Sequence, residues 1–186
     1  YQITPTHSEI LAAMTYLHAG NALDVGCGSG RNSLFLSQHG FDVDAWDINR
    51  DSIQKLNEII QSEQISNIHP LIRDLNQNTN INDRYDFICC TVVMMFVESE
   101  TIPQLIKQMQ NATKPQGFNL IVCAMDTDDY PVQSDFPFAF KPGELSAYYQ
   151  DWTLVKYNED VGELHRVDEN GNRIKQRFAT LLAQKT

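Results

Sequence analysis

The sequence predicts an α/β fold: one doubly wound, mostly parallel seven-stranded sheet that finishes in a C-terminal antiparallel hairpin. Three observations lead there. Strand-like and helix-like segments alternate along the chain in a βαβαβ order, the pattern of a parallel sheet with helices on both faces. The stretch Ala22 to Leu36, ALDVGCGSGRNSLFL, joins a short buried-strand pattern to a helix through three glycines spaced two apart. Tyr85 to Val93, YDFICCTVV, is a near-continuous apolar run suited to the centre of such a sheet, where both faces are covered.

The elements follow in order. Thr6-x-x-Glu9 has the form of a capping box opening a helix with Ile10, Leu11, Met14 and Leu17 on one side, closed by Gly20. Strand one runs Ala22 to Val25, and the helix entered through the glycine turn ends near Gly40. Phe41 to Trp46 reads as strand two, finishing at Asp47; Ile53, Leu56, Ile59 and Ile60 then recur at helical spacing. Ile68 to Ile72 is a third short strand leading into Asp74, and the run from Tyr85 is the fourth. Ser99 is placed to cap a helix carrying Ile102, Leu105, Ile106 and Met109, after which Lys114-Pro-Gln-Gly117 turns the chain into strand five, Phe118 to Ala124. The connection from Asp126 to a helix near Pro142 has the length of a lid or binding loop. Phe136, Phe138 and Phe140 alternate within it, so an extended chain would set all three on one face, able to close over a cofactor. The tail Gly162 to Gln184 reads as a hairpin turning at Asn170-Gly171. A two-residue turn there pairs Asp168 with Arg173 and Arg166 with Lys175, placing Arg166 and Arg173 on one face and His165 on the other.

Composition bounds the function. A chain of 186 residues, taken as one domain over 1–186, is long enough to bury roughly two-thirds of its unfolded surface. Hydrophobic residues make up 42%, with no apolar run near the ~20 that span a bilayer and no secretory pattern, which predicts a soluble cytoplasmic protein. A net charge of −10 opposes nucleic acid and anionic membranes as partners, apart from a basic patch near the C-terminus. Cys27, Cys89, Cys90 and Cys123 form no C-x-x-C pair and have no histidine at zinc spacing, so no metal is expected. Three of them lie in apolar runs and read as small core residues.

The glycine turn admits two cofactors. A dinucleotide fingerprint requires its third small residue at position 31, where helix and strand pack closely. Arg31 stands there. Asp24, Gly26, Gly28 and Gly30 instead spell D-x-G-x-G-x-G, the first motif of class I S-adenosylmethionine (AdoMet) methyltransferases. Asp24, Asp47, Asp74, Thr91 and Asp126 each lie at or just beyond a strand's carboxyl end, the edge where such sheets bind ligands. Asp47 suits the two ribose hydroxyls, with a helix N-cap as the alternative role. Asp74 suits an adenine amino group, with Leu75 and Ile48 enclosing the ring and a turn aspartate as the alternative. The expected cofactor set is Asp24, Gly26, Gly28, Gly30, Arg31, Asn32, Asp47, Ile48, Asp74, Leu75 and Thr91.

Later segments carry a more specific likeness. With THSE, LDVGCGSGRNSL, DVDAWD, YDFI, TVVMMF, KPQG, AMDTDDYP, FPFAFKPGEL, VKYNEDVGELHR and NGNRIKQRFATLLA, the chain resembles the tellurite-resistance methyltransferases, small bacterial enzymes that methylate tellurium and selenium oxyanions. The match covers nearly the whole chain; Gln116, where the family's P-G-G turn has glycine, is a minor departure. The resemblance implies a Rossmann-like class I methyltransferase fold and cytoplasmic AdoMet binding with S-adenosylhomocysteine as product. It further implies a small inorganic oxyanion as methyl acceptor; beside it, a monomer or homodimer is expected, with no metal, nucleic acid or membrane as partner. It suggests His165, Arg166 and Arg173 as the residues serving the oxyanion. A regular hairpin cannot aim His165 and Arg166 into one pocket, so either the strand is bulged or longer-looped, or one of them is structural. Two other readings stay open: a methyltransferase for a small organic acid or thiol, and a non-catalytic AdoMet-binding protein that sequesters oxyanions through Cys89-Cys90.

Overall fold

Apolar alternation in the strands decides which helices cover which face. The computed structural model describes residues 1–133 and 135–186. Its elements are α1 (Ser8–Ala13), β1 (Asn21–Val25), α2 (Arg31–Gln38), β2 (Asp42–Asp47), α3 (Arg50–Ser62), β3 (Ile68–Ile72) and β4 (Tyr85–Thr91). Then come α4 (Ile102–Ala112), β5 (Thr113–Ala124), α5 (Glu144–Tyr148), β6 (Thr153–Asn158), β7 (Val161–Val167) and β8 (Arg173–Gln184). On β4, Phe87 and Cys89 pack with Ile10, Leu36 and Leu56 from α1, α2 and α3, while Ile88 and Cys90 pack with Leu105 and Leu145 from α4 and α5. A strand buried on both faces has no polar side to show, which is why this one reads as an unbroken apolar run.

The main sheet path runs β3-β2-β1-β4-β5-β8-β6, with β7 paired to the outer part of β8. The strands from β3 to β5 are parallel to their neighbours, and β8 is antiparallel to both β5 and β6. The doubly wound sheet is as predicted, but Thr153–Asn158, not read as a strand from sequence, forms one edge, and β7 stands beside the main path.

Three local expectations are corrected. His7, not Thr6, caps α1, its Nδ1 accepting from the Glu9 amide at 3.1 Å. That helix is only six residues long, so Ile10 and Ala13 are buried while Leu11 is 49% exposed. The loop after Asp126 is not an extended flap. Asp126 accepts from the Val132 amide and pairs with Lys141, folding the chain back. Phe136 then packs edge-on against Phe96 and Phe138 against Phe140, as part of the core.

The hairpin is both bulged and longer-looped. Asp168 accepts from the amides of Asn170 and Asn172 and closes a wider turn, so Val167, not Asp168, pairs with Arg173. Farther down, Glu163 pairs with Lys175, with a register shift between Glu163 and Val167. His165 and Arg166 lie inside that irregular stretch.

Candidate functional site

The carboxyl ends of β1, β2 and β4 open onto a cavity of about 670 Å³, within the range of small-ligand sites. Its floor is the glycine turn. Gly26 and Gly28 line the cavity, and a side chain at Gly26 would overlap Val93, whose valine body forms the adjoining wall. Gly30 lies outside the lining: it begins α2 in a left-handed conformation (φ 98°), where any Cβ would strike Leu56 of α3. Its role is to let two helices meet.

Asp47 is not a helix cap, because Asn49 takes that position by accepting from the amides of Asp51 and Ser52. The Asp47 carboxylate instead accepts from the Gly28 amide and the Asn49 amide, both at 2.8 Å, and lines the cavity. Asp74 both lines the cavity and holds its own turn by accepting from the Asn76 amide. Ile48, Leu75, Arg31, Asn32 and Thr91 are also on the wall.

Asp24 is placed differently. It is buried beneath the turn, outside the lining, with Ser33 Oγ donating to it at 2.7 Å and Cys89 Sγ at 3.6 Å. Burial pushes its carboxyl up to about 6, against the pull of those two hydrogen bonds. Asp126 serves the loop fold described above.

Sequence reasoning passed over several wall residues. Trp46 and Arg73 each precede an expected aspartate; the Arg73 guanidinium lies 3.8 Å over the Trp46 ring, a cation–π stack on the wall. Val93, Phe96 and Val97 follow β4, and Gln2, Ile3 and Thr4 come from the chain's start. The signal for these five was available: residues at or just past a parallel strand's carboxyl end belong to the binding edge. The N-terminal three carry no local signal.

The three expected oxyanion residues do not line this cavity. Arg173 and His165 come together, with Arg173 Nη2 at 3.5 Å from His165 Nδ1. An arginine only donates, so that ring nitrogen accepts. Arg173 Nε also donates to the Leu164 carbonyl at 3.0 Å, within the irregular stretch, and its guanidinium is 3.4 Å from Glu163. Arg166 points elsewhere. It pairs with Asp135 at 2.7 Å and lies over the Phe136 ring, which in turn packs on Phe96 of the cavity wall. The predicted partition, with Arg166 and Arg173 sharing a face opposite His165, is therefore overturned by the bulge.

A sheet of this order, with a glycine turn at the carboxyl end of its first strand and a cavity along that edge, is the class I AdoMet-dependent methyltransferase fold. A SAM-dependent methyltransferase structure from Methanosarcina mazei shares that fold at 19% identity, with a TM-score of 0.70 over 98% of this chain and 99% of that one. The family model described as "Tellurite resistance protein TehB" matches residues 1–182, and the chain belongs to that family. It is 49% identical to the "Probable S-adenosyl-L-methionine-dependent methyltransferase TehB" of Haemophilus influenzae (strain 10810), over 100% of this chain and 64% of that protein. The crystal structure of TehB from Haemophilus influenzae aligns with a TM-score of 0.95 at 48% identity, covering 100% of this chain and 64% of that one. The chain thus spans a little under two thirds of the length of these relatives. Among the described residues, no helix is long and apolar enough to cross a membrane.

Proposed function

We propose that this protein binds AdoMet in the glycine-turn cavity and transfers its methyl group to a tellurium or selenium oxyanion. The observation that carries the reading is the match of residues 1–182 to the tellurite-resistance family, on a chain whose cavity sets the Asp47 and Asp74 carboxylates beside an apolar wall. In this reading Asp47 accepts from the ribose hydroxyls while bracing Gly28, and Ile48 and Leu75 enclose the adenine. AdoMet supplies an electrophilic methyl on a sulfonium.

The acceptor would meet His165, Arg166 and Arg173. A methyl cation moving onto an oxyanion lowers the negative charge on its oxygens, so arginine contacts do not by themselves favour the transition state. Their contribution is to bind the anion against a net charge of −10 and to aim a chalcogen lone pair along the sulfur–methyl bond. Arg166 must exchange its Asp135 partner to do so. His165 accepts from Arg173 through Nδ1, so its neutral ring carries its proton on Nε2 and offers that N–H to the oxyanion; taking a proton from a protonated oxyanion requires Nδ1 to leave Arg173 first. Sequestration by cysteine thiols finds less support: all four cysteines are buried, and burial raises the Cys89 and Cys90 thiols far from the reactive thiolate.

The test is transfer of labelled methyl from AdoMet to tellurite, selenite, small thiols and organic acids. Transfer to the oxyanions with turnover supports the reading. Transfer confined to organic acceptors, or binding without turnover, overturns it.

A further inference from the structure

Residues Tyr1 to His7 run past the cavity, three of them lining it, and are tied down at both ends. At one end, the Tyr1 hydroxyl bonds Glu63 Oε1 (2.5 Å) and Ser62 Oγ (2.8 Å) at the far end of α3. At the other, Arg31 Nη1 donates to the Pro5 carbonyl and the Thr6 hydroxyl donates to the Arg31 carbonyl, both at 3.3 Å. Between these anchors Gln2, Ile3 and Thr4 line the cavity, and Gln2 adopts a left-handed backbone conformation (φ 57°) that a glutamine rarely takes unless its flanks are fixed.

The inner anchor runs through one buried amide. Asn32 Oδ1 accepts from the His7 amide at 3.0 Å, and its Nδ2 donates to Thr91 Oγ1 at 3.1 Å. Asn32 is only 4% exposed, and both halves of its amide are committed to protein groups. It therefore acts by holding the N-terminal segment to the cavity floor, where Thr91 ends β4.

We propose that Gln2–Thr4 form the fourth wall of the AdoMet site, closing over the bound cofactor, and that Asn32 is the positioning residue that sets the closed placement. The proposal rests on the AdoMet reading above. A cofactor enclosed on its open side by this segment leaves only when an anchor lets go, so the anchors govern release of S-adenosylhomocysteine more than they govern the chemical step.

The experiment measures S-adenosylhomocysteine dissociation by stopped flow in the wild type, Tyr1→Phe and Asn32→Ala, together with backbone amide exchange across residues 2–6 with and without that ligand. Tyr1→Phe removes one exposed hydroxyl, and with it the contacts to Glu63 and Ser62, and leaves the fold intact; release should quicken at least roughly 2- to 12-fold, the span expected for a single lost hydrogen bond. Asn32→Ala should quicken it further, and exchange at 2–6 should slow on binding in the wild type. Unchanged release in Tyr1→Phe, or exchange at 2–6 indifferent to the ligand, overturns the proposal while leaving the AdoMet reading intact. Absence of any S-adenosylhomocysteine binding to the wild type by calorimetry overturns both.

Discussion

Replacing Asp24 by Asn should make the protein more stable at neutral pH and remove the pH dependence that this one buried carboxyl contributes between pH 4 and 7. The carboxyl is buried under the glycine turn and ionises near pH 6 in the folded chain, against 3.8 as its ordinary value. The folded state therefore holds this proton more tightly than the unfolded state. Stability from this group is fully present below pH 3.8, falls as pH rises through the interval, and reaches its full loss above pH 6, where the deficit is about 3 kcal/mol. An asparagine is neutral throughout, and its Oδ1 can still accept from Ser33. Urea unfolding of both proteins at intervals from pH 4 to 8 reads the difference directly. The variant should gain on the wild type by about 2.5 kcal/mol between the ends of that range, the first part of the loss having already occurred by pH 4; a gap that stays constant with pH refutes the argument. The same proton gives a binding signature. A cationic cofactor seated above Asp24 favours its ionised form, so AdoMet binding near pH 6 should release protons, seen as a dependence of the calorimetric heat on buffer ionisation enthalpy.

Asp47→Ala should weaken AdoMet by about 2 kcal/mol in calorimetry, through lost ribose bonds and a loosened Gly28 amide; unchanged affinity rejects the assignment. Arg173→Ala should raise KM for tellurite more than it lowers kcat and leave AdoMet affinity nearly unchanged, whereas a pure loss of kcat would sink the positioning account. Gly26→Ala should destabilise the fold by about 2 kcal/mol in thermal or urea unfolding, because the new methyl meets Val93 at a left-handed backbone position. Adding Val93→Ala should recover the steric part only, and full recovery would contradict a backbone contribution.

Much of the sheet was legible because its signals are local. Ile68–Ile72 appears as read, since a short apolar run ending in a polar turn has few other fates beside a parallel strand. Asp47, Asp74 and Thr91 reach the cavity wall because topology alone carries a strand's end to the binding edge. What stayed hidden depended on distant partners. The hairpin register is set by Asp168 drawing in two amides and by Leu164 turning into the core, neither of which the Asn170-Gly171 signal encodes. Asp24 and Gly30 were expected to touch the cofactor from their motif, yet they face Ser33 and Leu56, contacts that exist only once α2 and α3 have docked. The place of Gln2–Thr4 over the cavity follows from a tyrosine reaching the end of α3 some sixty residues along the chain.

The position of β8 in the sheet also has a consequence in time. Ala124 of β5 pairs with Phe178, and Phe118 with Gln184, so β5 is made roughly 50 to 70 residues before the strand that covers it. At the pace of translation, about 5–20 residues per second, that is several seconds. During those seconds β5, among the most deeply buried strands of the finished fold, presents an apolar edge with unpaired amides, and β6 has no neighbour to join. Insertion of β8 between these two strands is therefore the step that completes the sheet. The same insertion brings Arg173 into place beside His165, so the proposed acceptor residues assemble only as the sheet closes.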